Sequence, residues 1–143
     1  MMKKVLIAVD GGKSSITDVK YGIRFAQQNH AEIGIVEVTN LSIGSIDAGI
    51  MPEDEEKANQ YAAKVNLSSI KLNYPQLSIK EFEPIGKPEV EIEKIVGLWQ
   101  PDLLVIGHQT HSAWYKLFNP DVESELISQI SIPMLIIPEK YKI

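Results

Sequence analysis

The segment GHQTHSAWYKLFNPDVESEL, residues 107–126, gathers most of the side chains in this chain that could do chemistry. Gly107 directly follows the apolar run Leu103, Leu104, Val105 and Ile106. A glycine placed there can open a loop whose backbone N–H groups cradle a phosphate, particularly ahead of a helix start. His108 and His111 precede Asp121 and Glu123, a set that would suit a metal ion if a third ligand at defined spacing joined it. Loop histidines more often serve local hydrogen bonds, so no metal site is expected. Ser112 beside His111 is no nucleophile and base pair, because sequence neighbours do not generally face one another and no orienting acid is identifiable. Asp10 closes the first apolar run, where it could hold a ligand or bond the backbone N–H groups of the turn GGKSS.

The second half of the loop argues against a phosphate. NPDVE, residues 119–123, is a helix start that completes itself: Asn119 caps, Pro120 takes the first position, and Asp121 and Glu123 lie in the first turn. Proline removes a donor, the asparagine side chain takes another, and the two carboxylates satisfy the helix dipole while repelling an anion. Each carboxylate costs a bound phosphate about 1 kcal/mol at surface dielectrics. Trp114, Tyr115, Leu117 and Phe118 form an apolar cluster read as a lid packed over the vacated space, in preference to an exposed partner site.

These residues need a scaffold, and the hydrophobic pattern supplies one. KKVLIAVD at 3–10 reads as a strand buried on both faces, followed by a helix from the capping box Ser15, Ile16, Thr17 and Asp18 to about Asn29, with Ile16, Val19, Ile23 and Ala26 at helical spacing. EIGIVEV at 32–38 is a second strand. Residues 39–51 read as a long loop, and Pro52 with Glu53–Glu56 as a solvated helix start, continuing through Ala58, Ala62, Val65 and Leu72 to about Tyr74. A third strand spans 77–83, and a helix from Pro88 carries Ile92, Ile95, Val96 and Trp99 on one core stripe. DLLVIG at 102–107 and PMLIIP at 133–138 are the fourth and fifth strands. Strand and helix alternate throughout, which builds an α/β, doubly wound, Rossmann-like parallel sheet with helices on both faces. Ligands in such sheets sit beyond the carboxyl ends of the strands, here at Asp10, after Val38 and after Gly107.

With 143 residues and 44% hydrophobic content, the chain reads as one domain, 1–143, with an ordinary core. The net charge of -5 and the lack of clustered Lys and Arg argue against nucleic acid. Cysteine is absent, which removes disulfides, thiolate metal sites and cysteine nucleophiles and fits a reducing compartment. The run VLIAV is too short for a membrane span, so a soluble, cytoplasmic protein is expected.

In this order and spacing, KKVLIAVD, IGKPEVEIEKI at 85–95, PDLLVIG at 101–107 and SIPMLIIP at 131–138 resemble the universal stress protein family. The resemblance implies sheet order 3-2-1-4-5 and a homodimer through the last strand, Met134, Leu135, Ile136 and Ile137. Pairing of that apolar edge with a second subunit would also cover an aggregation hazard. ATP-binding members carry two glycines three apart and then, nine residues on, Gly-Ser or Gly-Thr. Here Gly107 remains, but Thr110, Pro120 and Asp121 stand at the other three positions. GHQTHSAWYKL instead looks like the non-ATP-binding branch, carried by Gly107, His108, Trp114, Lys116 and Leu117. The family also implies a nucleotide pocket at Asp10, Val38 and Gly107, vestigial in this chain.

The expected function is a non-enzymatic, regulatory or binding module of stress physiology with no cofactor. The alternative is an ATP- or AMP-binding member with a degenerate motif, capable of adenylate sensing or slow hydrolysis. A phosphorylatable receiver is disfavoured, because Glu83 and Pro138 stand in the regions where it needs an aspartate and a lysine.

Overall fold

The computed structural model describes residues 1–9, 15–39, 67–108, 128–138, 140 and 141. Five strands, β1 (Lys4–Val9), β2 (Glu32–Glu37), β3 (Ile79–Phe82), β4 (Leu103–His108) and β5 (Met134–Pro138), form one sheet in the order β3-β2-β1-β4-β5. Every pairing is parallel. Helix α1 (Ser15–Gln28) follows β1, and helix α2 (Pro88–Trp99) links β3 to β4. Residues 67–73 are also helical. The expected class and strand order are both present.

Burial on both faces explains the unbroken aliphatic runs. Alternate residues of β1 point to opposite sides. Val5, Ile7 and Val9 join Val19, Ile23 and Ala26 of α1 on one face, with Leu67, while Leu6 and Ala8 join Ile92, Ile95 and Val96 of α2 on the other. The expected stripes of both helices are thus the buried ones, with Ile16 as an exposed exception. The expected helix does run through Leu72, which lies 79% exposed, while Leu67 is buried in the α1-side core with Ile70 packed against it. The other positions read in that helix, Ala58, Ala62 and Val65, lie outside the described residues, as do residues 40–51 of the long loop read over 39–51.

Strand β4 runs one residue further than expected. Gly107 pairs with Ile137 and His108 with Pro138, so Gly107 is a ladder residue of the sheet and not the opening of a loop. Both helices end without glycine, in left-handed residues, His30 with φ 53° and Gln100 with φ 57°. The Gln100 N–H donates to the Val96 carbonyl at 3.0 Å, closing the last turn of α2.

Directly after that turn, Asp102 fastens the start of the central strand. Its Oδ2 accepts the backbone N–H groups of Lys3 at 2.7 Å and Lys4 at 2.9 Å, and its own N–H donates to the Lys4 carbonyl at 2.8 Å. The Lys4 ammonium donates to the Trp99 carbonyl at 2.9 Å and lies 5.4 Å from the centre of the indole ring. Hydrogen bonds from Lys3 and then Lys4 hold the Asp102 carboxyl below its ordinary value of 3.8. A carboxyl depressed in the folded state stabilises above its unfolded pKa, and the contribution is lost as pH falls through the folded value. Asp102→Ala is therefore expected to lower Tm at neutral pH, with the gap to the parent protein shrinking below about pH 3.8; thermal melts from pH 7 to pH 2.5 test this, and a gap that stays constant would refute it.

Candidate functional site

The topology delivers the ends of all five strands to one edge. Because α1 follows the carboxyl end of β1 and α2 that of β3, the first turns of both helices lie at this edge as well. Val38, just past β2, is buried and its side chain packs into the α2-side core beside Val36 and Ala8. Gly107 lies near the carboxyl end of β4, two strands from Val38, a separation of about 10 Å at ordinary strand spacing. Asp10, His111, Ser112, the aromatic cluster at 114–118 and the helix start at 119–123 lie outside the described residues.

The polar side chains buried here were not singled out as site residues by sequence reasoning. Among the described residues the buried polar side chains are Asp18, Glu37, Thr39 and Glu89: three carboxylates and a hydroxyl, with no cation. All four stand at the carboxyl edge. Asp18 is in the first turn of α1, Glu37 ends β2, Thr39 follows it, and Glu89 is in the first turn of α2. A buried polar atom without a partner costs on the order of 1–3 kcal/mol. Such atoms are present: Thr39 Oγ1 and Glu89 Oε2 are buried without a hydrogen bond. Asp18 and Glu37 interact with other groups.

Thr39 is fixed by its backbone. Its N–H donates to the Pro84 carbonyl at 2.9 Å, and its carbonyl accepts the Gly86 N–H at 2.8 Å, a parallel bridge to Ile85 that extends the β2–β3 ladder. Gly86 has φ 149°, a backbone that other residues adopt only under strain, which accounts for the glycine in IGKP. The turn leads straight into α2, so Glu89 is carried by the same short segment that locks Thr39. Glu89 and Glu91 in the first turn also offset the positive end of the helix dipole.

The closest approach at this edge involves Asp18 and Gly107. A β-carbon built onto Gly107 would lie 2.6 Å from Cγ and 2.8 Å from Oδ1 of Asp18. The carboxyl group thus fills the volume left by the missing side chain. The glycine that marked a phosphate loop in the sequence is covered by an acid of the same chain. Asp18 was read as the end of a capping box, a local pattern carrying no hint of a contact 89 positions along the chain. The helix begins at Ser15 itself, making Asp18 its fourth residue. The only signal in the sequence was chemical: Glu37 falls between valines in a buried strand, and Glu89 follows a helix-opening proline. Among the described residues no group of three or more His, Asp or Glu could hold a metal ion.

A family model, the universal stress protein family, matches residues 1–138. A universal stress protein A homolog of Haemophilus ducreyi is 22% identical over 142 residues, covering 96% of this chain and 97% of that protein. In fold, the chain is similar to universal stress protein UspA from Lactobacillus plantarum, with a TM-score of 0.77 and 14% identity, covering 95% of this chain and 97% of the other. It is also similar to a universal stress protein family member from Arabidopsis thaliana whose structure has AMP bound, with a TM-score of 0.66 and 18% identity, covering 95% and 91%.

The contact between Asp18 and Gly107 has a direct structural test. Gly107→Ala is expected to destabilise by about 1–3 kcal/mol, the range for overpacking a filled site. In an Asp18→Gly background the same change should be close to neutral. Chemical denaturation of the four proteins of the cycle measures the coupling, and additive effects would show that the two residues do not share space.

Proposed function

The chain belongs to the universal stress protein family, and from that premise we propose that it acts as a non-enzymatic regulatory or binding module that holds no ATP tightly. The observation that carries this is the replacement of the glycine motif: Thr110, Pro120 and Asp121 stand where the phosphate-binding members have glycine or the Gly-Ser pair. Phosphate binding at a helix start depends on free N–H donors, close backbone approach and an unopposed dipole. The substitutions remove each of these. Glu89 works in the same direction, since its buried carboxylate in the first turn of α2 already offsets the positive end of that helix. Asp10, Val38 and Gly107 remain as a vestigial nucleotide pocket.

The test is calorimetric titration of ATP with magnesium, together with analysis of the purified protein for carried-over nucleotide. No micromolar binding and no bound nucleotide are expected. Stoichiometric micromolar binding would overturn the proposal in favour of the second reading, a nucleotide-binding member with a degenerate motif. That reading draws support from the AMP bound to the Arabidopsis neighbour, a likeness that establishes fold alone for this chain.

The same family membership supports a homodimer through β5 and a cytoplasmic location. β5 ends the sheet and is bonded on one side, to β4. Met134 and Leu135 pack partly against the two cores and Ile137 is buried, whereas Ile136, on the same sheet face as Met134, is 37% exposed. Among the described residues no helix is long and apolar enough to cross a membrane. Ile136→Glu is expected to shift the protein toward monomer in sedimentation without loss of fold; an unchanged dimer would place the interface elsewhere.

A further inference from the structure

We propose that Glu93 and Ser131 form a latch that holds the start of the edge strand β5 against α2, and so keeps β5 in place as a pairing edge for a second copy of this chain. The pairing half of the inference rests on the homodimer reading above; the latch itself is read from hydrogen bonds within one chain. Both oxygens of the Glu93 carboxylate are engaged by Ser131, 38 positions away: Oε1 accepts the hydroxyl at 2.6 Å and Oε2 accepts the backbone N–H at 3.1 Å. A hydroxyl that donates to a carboxylate at this distance makes a charge-assisted bond, roughly twice as strong as a neutral one.

The position of Glu93 on its helix suits this role. Ile92, Ile95 and Val96 turn into the α2-side core, and Glu93 lies half-buried on the flank beside them. The neighbouring cation is directed elsewhere, since the Lys94 ammonium donates to Glu91 Oε1 at 3.1 Å. The Glu93 carboxylate is thus bound through Ser131 and ties the middle of α2 to the segment entering the last strand.

That segment has little backbone support of its own. Pro133 precedes β5 and Pro138 ends it, and neither has an N–H to donate to the ladder. The strand is bonded only to β4, where the central β1 has a ladder on each side. The first bond of β4 to this segment runs from the Leu104 N–H to the Pro133 carbonyl at 3.0 Å, two residues past Ser131. Ser131 itself stands between Ile130, which is buried in the α2-side core, and Ile132, which packs against that core. Opening the start of β5 therefore requires the two isoleucines to leave the core and the Glu93 bonds to break together.

Amide hydrogen exchange on the full chain tests the latch. In Glu93→Ala, where alanine's helix preference favours retention of α2, the Leu104 amide and those of β5 should exchange about tenfold faster, while amides of the β1–β2 ladder keep the parent rates. Tenfold is the low end for bonds to a charged group, as fits the exposure of Ser131. Ser131→Ala, which keeps the N–H, should give a smaller rise, and Ser131→Thr, which keeps both donors, should give none. In sedimentation the Glu93→Ala dimer should dissociate at higher concentration than the parent. Unchanged exchange at Leu104, or an equal rise throughout the sheet, overturns the latch; selective opening with an unchanged dimer overturns its link to pairing. Ile136→Glu reads the interface separately: if it also leaves the dimer intact, the β5 homodimer reading has failed, and the exchange rates still decide the latch.

Discussion

Strand β1 hydrogen-bonds to β2 on one side and to β4 on the other, and both pairings are parallel. Parallel neighbours cannot be joined by tight turns, so each connection crosses a face of the sheet, and a right-handed twist makes those crossings right-handed. The cores above and below β1, the position of both helices and the convergence of strand ends on one edge follow from that constraint. Asp102 secures it at the start of the strand, where one carboxylate oxygen takes two backbone N–H groups of the incoming chain. The ammonium of Lys4, held against the carbonyl and ring of Trp99, ties the same point to the end of α2.

The carboxyl edge shows what the constraint makes available and how this chain uses it. An edge formed by strand ends and the first turns of helices offers N–H donors and positive dipole ends, a setting suited to anions. Here it is filled with acids. Glu89 occupies the first turn of α2, Asp18 that of α1, and Glu37 the end of β2. Universal stress proteins share the scaffold across wide sequence divergence, and the Haemophilus and Lactobacillus relatives at 22% and 14% identity illustrate how little of the sequence the fold requires.

Local patterning was the legible part. The aliphatic runs of β1, β2, β4 and β5, the stripe Ile92, Ile95 and Val96, and the Pro88 helix start each follow from residue type and spacing over a few positions, and each is found where the pattern puts it. The helix read through Leu72 shows the limit, since its local pattern does not say which leucine meets the sheet: Leu67 is buried and Leu72 is exposed. Gly107 shows another. Read locally it closes a strand ahead of a loop; in the sheet its neighbours are Ile137 through the ladder and Asp18 through space.

What the sequence by itself determined is the alternation of strand and helix, and with it the parallel sheet, because hydrophobic periodicity is a local property that survives without knowledge of contacts. The replacement of the phosphate motif at Thr110, Pro120 and Asp121 is legible for the same reason. Only the tertiary structure decided that Asp18 covers Gly107 and that Thr39 and Glu89 are buried with atoms unbonded. Those facts join residues from separate elements, and proximity across 89 positions of chain is produced by the crossover topology, not written in any short stretch of it.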